Sequence, residues 1–325
     1  MDSRSFATTA SITSRIDAVT AIPFTRRTAL PPPPRSVKIE LTSQCNYRCG
    51  FCAHRLRLKD RGEMRWPLFT RLVGEMVDAG VEELGFFFIG ESFMCDWLVD
   101  AIGYAKACGI RYAFLTTNGS LASPENVRGC MEAGLDSLKF SMNNADAAQF
   151  ERVAQVKGRL FDDSVANLKA ARRVRDDGGY RCGLYASSIQ YDGEQQALMQ
   201  GLVDEILPYV DEHYWLPLYS MGSLAKEREA ELGYKPIAGN QGRIGALREP
   251  LPCWSAFTAA IWTNCSSSAL FMENLSESSP AAMQAFTRSG VASEPLVVRN
   301  TYLIPRFLAK AIASGSQSHM NDSPM

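Results

Sequence analysis

Residues 36–52 read SVKIELTSQCNYRCGFC. Ser36 to Thr42 alternates apolar and polar side chains, as a strand does. The loop that follows, Cys45-Asn46-Tyr47-Arg48-Cys49-Gly50-Phe51-Cys52, sets three thiols within eight residues. Spacing this tight curls the chain round one centre, and soft thiolates select zinc or an iron–sulfur cluster. Three thiolates leave one coordination position open. A structural zinc site needs a fourth ligand there, and His54 stands close enough in sequence to supply it. Three unrelated core cysteines are the remaining reading.

Beyond this loop the chain alternates helical and extended patterns. Leu68, Leu72, Val73, Met76 and Val77 recur at helical spacing over Leu68–Ala79, and Glu83–Ile89 (ELGFFFI) is a nearly continuous apolar strand. Next come a helix over Trp97–Ala107, a strand at Tyr112–Thr117 and a helix over Pro124–Ala133 capped by Ser123. The strand Ser137–Ser141, a helix over Asp162–Asp177, the strand Cys182–Ser188, a helix over Glu194–Leu207 and the strand His213–Leu218 complete the series. Strands apolar on both faces and separated by helices predict a parallel sheet covered by helices. Right-handed crossovers curl such a sheet, so the expected fold is α/β, a partial (βα)6 TIM-like barrel with an irregular C-terminal extension. Sites in such folds collect at the carboxyl ends of the strands.

Composition narrows the class. The chain has 325 residues, 46% of them hydrophobic and 21% charged, with a net charge of −1, which is an ordinary globular profile. Balanced charge gives no electrostatic basis for nucleic-acid or anionic-membrane binding. The apolar runs are too short to span a bilayer. The nine cysteines are odd in number and follow no secretory signal, which predicts a reducing cytoplasm. Residues 1–35 read as a poorly ordered leader ending in Pro31–Pro34, and residues 314–325 as a disordered tail. Cys95, Cys108, Cys130 and Cys182 lie within expected helices or strands and read as small core residues; Lys139, Arg48, Arg55 and Arg57 are able to bind anionic substrate groups but read first as exposed, solvated charges. No nucleophile elbow, phosphate loop or His-Glu-x-x-His helix is present.

A Cx3CxxC loop after the first strand, with the aromatic Phe51 before its last cysteine, resembles the radical S-adenosylmethionine (SAM) superfamily. The resemblance spans residues 36–219. It implies that Cys45, Cys49 and Cys52 bind three irons of a [4Fe–4S] cluster and that the fourth iron takes the methionyl group of SAM. Phe51 matches the position beside the adenine. Gly90 and Glu91 match the segment that meets the methionyl amino group, although Ile89 stands where the family has a further glycine. Thr117 and Asn118, in Thr116-Thr117-Asn118-Gly119, end the third strand; Ser141 and Asn143 end the fourth, and Ser187 and Ser188 the fifth. The resemblance makes these cofactor-binding positions. It further implies an electron donor such as flavodoxin or ferredoxin, and a peptide or a carbohydrate or aminocyclitol substrate.

Residues 220–313 break the pattern. Pro252-Cys253-Trp254 and Ala259-Ala260-Ile261-Trp262-Thr263-Asn264 resemble the opening of a SPASM or twitch extension, which binds auxiliary clusters. Only Cys265 follows, then a Ser-rich stretch, and two cysteines do not fill a four-ligand cluster. A degenerate extension, or a reading frame altered near Asn264, explains the change. The competing functions are a zinc-binding α/β protein and an inactive, truncated relative.

Overall fold

The computed structural model describes residues 12, 14–15, 33–52, 54, 62–191, 193–216 and 218. Arg55, Arg57, Cys253, Cys265, residues 220–313 and the tail lie outside them. The elements run β1 (Ser36–Lys38), α1 (Trp66–Asp78), β2 (Glu83–Gly85), α2 (Leu98–Ala107), β3 (Tyr112–Thr117) and α3 (Pro124–Glu132). They continue with β4 (Ser137–Ser141), α4 (Ala147–Ala154), α5 (Arg159–Gly178), β5 (Gly183–Ile189), α6 (Gly193–Ile206) and β6 (Glu212–Leu216). The strands form one parallel six-stranded sheet in chain order, the arrangement of a partial TIM-like barrel.

Alternation along each strand separates two faces. Leu84, Ala113, Leu115, Leu138, Phe140, Leu184 and Ala186 are fully buried and join the main core, which also contains Phe69 and Leu72 of α1, Ile102 of α2, Val127 of α3 and Leu168 of α5. Burying each such side chain contributes roughly 1.5–3 kcal/mol before entropy is counted. The opposite face carries the half-buried Lys38, Thr116, Lys139, Ser141 and Tyr185. This second face meets the site.

β3 and β4 have the expected bounds, and Ser123 caps α3 by accepting from the Asn126 amide at 3.2 Å. β1 and β2 stop short of Thr42 and Ile89 because other groups take their backbone polar atoms. Leu41 O and Ser43 N pair with Met64 N and Gly62 O, and the Glu40 carboxylate accepts the Ile89 and Gly90 amides at 3.0 and 2.8 Å. α4 had no counterpart in the expected elements. Of the leader, Ile12, Ser14 and Arg15 are helical and lie against the amino-terminal strand ends. There Arg15 pairs with Glu83 and stacks on Tyr112, with its guanidinium carbon 3.4 Å from the ring centroid. Among the described residues no helix is long and apolar enough to cross a membrane.

Candidate active site

The cysteine loop is held from three sides. From β2, the Glu91 amide donates to Gln44 O at 2.7 Å. From β3, Asn118 Nδ2 donates to Asn46 Oδ1 at 2.8 Å, while Asn46 Nδ2 donates to Ser120 Oγ at 2.9 Å. From α4, the last carbonyls accept loop amides: Arg48 N to Ala154 O at 2.9 Å and Gly50 N to Val153 O at 2.8 Å. These are helix-end carbonyls that lack partners within their own helix. Tyr47 fixes the middle of the loop, with its hydroxyl 2.8 Å from Ser164 Oγ and its ring edge-on to Phe150 at 5.0 Å.

Gly90 makes the approach from β2 possible. A Cβ at this position would lie 2.2 Å from Thr42 O and 2.9 Å from Gln44 O, both backbone atoms. Only a glycine lets the two segments run so close. Glu91, beside it, is buried, and its carboxylate accepts from Thr117 Oγ1 at 2.8 Å, Asn118 N at 2.8 Å and Phe93 N at 3.2 Å. Burial raises its pKa, and these three donors oppose the rise. An ionised carboxylate has about four acceptor sites, so three donors nearly fill it.

Cys45, Cys49 and Cys52 open onto one cavity of about 240 Å³. Phe51, Gly90, Glu91, Thr117, Asn118, Ser141 and Asn143 line the same cavity. Ser187 does not: it lies in register beside Ser141, buried, with no partner for its Oγ among the described residues. Asn143 Oδ1 accepts the Ile189 amide at 3.2 Å, which ties the ends of β4 and β5 together. Asn144 also lines the cavity, and its buried Oδ1 has no hydrogen-bond partner among the described residues.

Burial pushes the Cys45 thiol up to about 12, and burial, with the neighbouring Cys52 and Cys45 charges, also holds Cys49 well above the ordinary thiol value. Three adjacent thiolates are therefore unfavourable without a cation between them, and a bound metal reverses that balance. A single zinc ion needs its donors about 2.0–2.3 Å from one point. Among the described residues no three His, Cys, Asp or Glu side chains converge in that way. His54 Nε2 is 3.0 Å from the Ser43 carbonyl instead. Three soft donors, a close backbone approach at Gly90 and an unmatched polar atom at Asn144 fit a three-cysteine cluster with a polar ligand beside it.

Several residues around the site escaped the sequence reading. Asn46, Tyr47 and all of α4 position the loop, and Phe87, Thr116 and Asn144 line the cavity. A signal for α4 was present. Asp146 accepts the Gln149 amide at 2.7 Å, and Gln149 Oε1 reaches back to the Ala145 amide at 2.6 Å, which is close to a capping box. Arg48 is exposed as expected, and Cys95, Cys130 and Cys182 are buried. Lys139 is a correction. Strand parity opposite Leu138 and Phe140 turns it onto the site face, where it is half-buried rather than solvated.

A profile of the radical SAM superfamily matches residues 39–182. GTP 3',8-cyclase from Synechococcus sp. (strain CC9902) is 32% identical over 145 residues, covering 42% of this chain and 41% of that protein. PqqA peptide cyclase from Gluconobacter oxydans (strain 621H) is 29% identical over 150 residues, covering 46% and 40%. Streptococcus suis SuiB, solved with its precursor peptide SuiA, overlays with a TM-score of 0.49 at 18% identity, covering 62% of this chain and 43% of that one. The matched segment spans about two-fifths of the length of these curated relatives.

Proposed function

We propose that this chain, whose residues 39–182 match the radical SAM superfamily, cleaves S-adenosylmethionine reductively, with Cys45, Cys49 and Cys52 as the cluster ligands. The observation that carries this reading is the opening of all three thiols onto one cavity, together with the end residues of β3 and β4. Enzymes of this superfamily use a [4Fe–4S] cluster and SAM; when bound, a cluster reduced by the external donor would pass one electron to SAM, whose S–C5′ bond would break to methionine and a 5′-deoxyadenosyl radical.

The chain's own residues have separable tasks. The cysteines supply three soft donors and leave one iron for the methionyl group. Glu91 retains little free acceptor capacity, so its main task is to lock Thr117 and Asn118 at the cavity wall. Asn144, Ser141 and the polar strand ends offer hydrogen bonds to the methionyl and ribose groups. Phe51 supplies an apolar wall for adenine. Ser187 lies outside the lining, so it serves deeper in the barrel if it serves a ligand.

Substrate and partners follow by analogy. A peptide or a carbohydrate or aminocyclitol alcohol is the hydrogen donor, and a flavodoxin or ferredoxin in the cytoplasm is the electron source. The test is anaerobic reconstitution with iron and sulfide, followed by assay of 5′-deoxyadenosine with dithionite as reductant. Release by the wild type and none by Cys49→Ala supports the proposal. Equal release by both, or none by a wild type that holds a full cluster, overturns it.

A further inference from the structure

Among the described residues, two lysines stand on the site face without a counter-ion. Lys38 ends β1 and Lys139 lies in β4, in register between Thr116 and Tyr185. Among the described residues neither amine has a hydrogen-bond or ion-pair partner; each meets only an aromatic ring. Lys38 Nζ is 5.2 Å from the centre of Phe87, and Lys139 Nζ is 5.8 Å from that of Tyr214. Phe87 and Thr116 line the cavity, so each lysine, though not a lining residue itself, neighbours one that is.

Nearby carboxylates are occupied. Glu83 pairs with Arg15, Glu212 accepts the Ile12 amide at 2.6 Å, and Glu40 accepts the Ile89 and Gly90 amides. Burial lowers the pKa of both lysines, and the charge of Lys38 adds to the effect on Lys139, which falls to about 7. Two half-buried like charges on one face repel each other, and an anion between them relieves that repulsion. Ser187, on the same face two residues beyond Tyr185, adds a buried hydroxyl without a partner.

We propose that Lys38 and Lys139 form an oxyanion subsite of the barrel interior, which holds a carboxylate or phosphate group of the substrate beneath the SAM cavity. This inference rests on the functional reading above and narrows its substrate class to molecules with an anionic end. A substrate seated this way presents its remaining atoms toward the cavity, where the radical forms.

The test uses the full chain, purified anaerobically, with inorganic phosphate and acetate titrated by calorimetry against chloride at matched ionic strength. The wild type should bind at least one of the two oxyanions. Phosphate alone, or acetate alone, identifies which group the substrate carries. Lys139→Met and Lys38→Met should each weaken that binding about tenfold or more, the usual effect of losing a charge-assisted hydrogen bond. Lys169→Gln removes the same charge from a surface lysine paired with Glu205 and should leave binding unchanged. Circular dichroism establishes that the variants are folded, and two independent variants guard against the loss of one. Equal binding by wild type and both methionine variants, an equal loss in Lys169→Gln, or no oxyanion binding beyond chloride overturns the proposal. These titrations need no SAM, so their failure is distinct from a failure of SAM cleavage.

Discussion

The Glu91 carboxylate accepts the Asn118 backbone amide at 2.8 Å and thereby joins the end of β2 to the end of β3. Asn118 passes the connection on through its side chain to Asn46, inside the cysteine loop. One buried acid thus sets the relative position of three segments of the site. Its replacement by alanine leaves the Asn118 and Phe93 amides and the Thr117 hydroxyl short of an acceptor. A loss of about 3 kcal/mol in stability is expected, at about 1–3 kcal/mol for each buried donor left unpaired. Urea denaturation measures it. Stability within a few tenths of wild type would contradict the assigned role.

Gly90→Ala and Gly74→Ala form a matched pair. At Gly90 the added methyl meets backbone oxygens of Thr42 and Gln44, so the loop must move; a cost of about 1–3 kcal/mol and a lower iron content after reconstitution are expected. At Gly74, within α1, nothing lies within 4 Å, so alanine should stabilise by up to about 1 kcal/mol through helix propensity. Denaturation curves and iron analysis of both variants check this. A Gly90→Ala protein as stable and iron-replete as wild type would count against the close approach.

Lys139 gives a pH signature. Its folded-state pKa is lowered from 10.5 to about 7, first by burial and then by Lys38. Between those values the unfolded chain binds more protons than the native one, so stability rises with pH across that window. Below about pH 7 the penalty is fully present, and above about pH 10 it is gone. Lys139→Met should therefore be more stable than wild type near neutrality, with an advantage that shrinks as the pH rises toward 10. Denaturation in chloride buffers at about pH 6, 8 and 10 reads this out. A difference independent of pH would refute it.

How much of this was legible beforehand varies with the range of the interactions. Tyr112–Thr117 and Ser137–Ser141 were readable because ladder partners run along their whole length and each begins just after a helix-ending turn. β1 and β2 were overread, since no local pattern reveals that Glu40 takes the amides of Ile89 and Gly90 fifty residues away. α4 was missed because Ala147–Ala154 is short and its apolar face is small, although Asp146 and Gln149 marked its start. Its role depends on contact with residues 48 and 50, which is a tertiary fact.

That the cysteine loop and most of the strand-end residues share one cavity could be read, because the strands of a parallel sheet end on the same side. Their division of labour could not. Glu91 matches a segment implied to meet an ammonium, and no local pattern shows that three donors from Phe93, Thr117 and Asn118 also claim most of its carboxylate. Lys139 looked like a surface charge because a single lysine in SLKFS does not say which face of the sheet meets the site. Register with Thr116 and Tyr185 decides it.

Low-temperature EPR of the reconstituted, dithionite-reduced chain, recorded with and without SAM, tests the central claim most directly. The account predicts about four irons per chain, a signal of a reduced [4Fe–4S] cluster, and a change in that signal when SAM is added, since SAM takes the iron that Cys45, Cys49 and Cys52 leave open. All three should be lost in Cys49→Ala. One zinc per chain with no EPR signal, or a cluster spectrum unaltered by SAM, would contradict it.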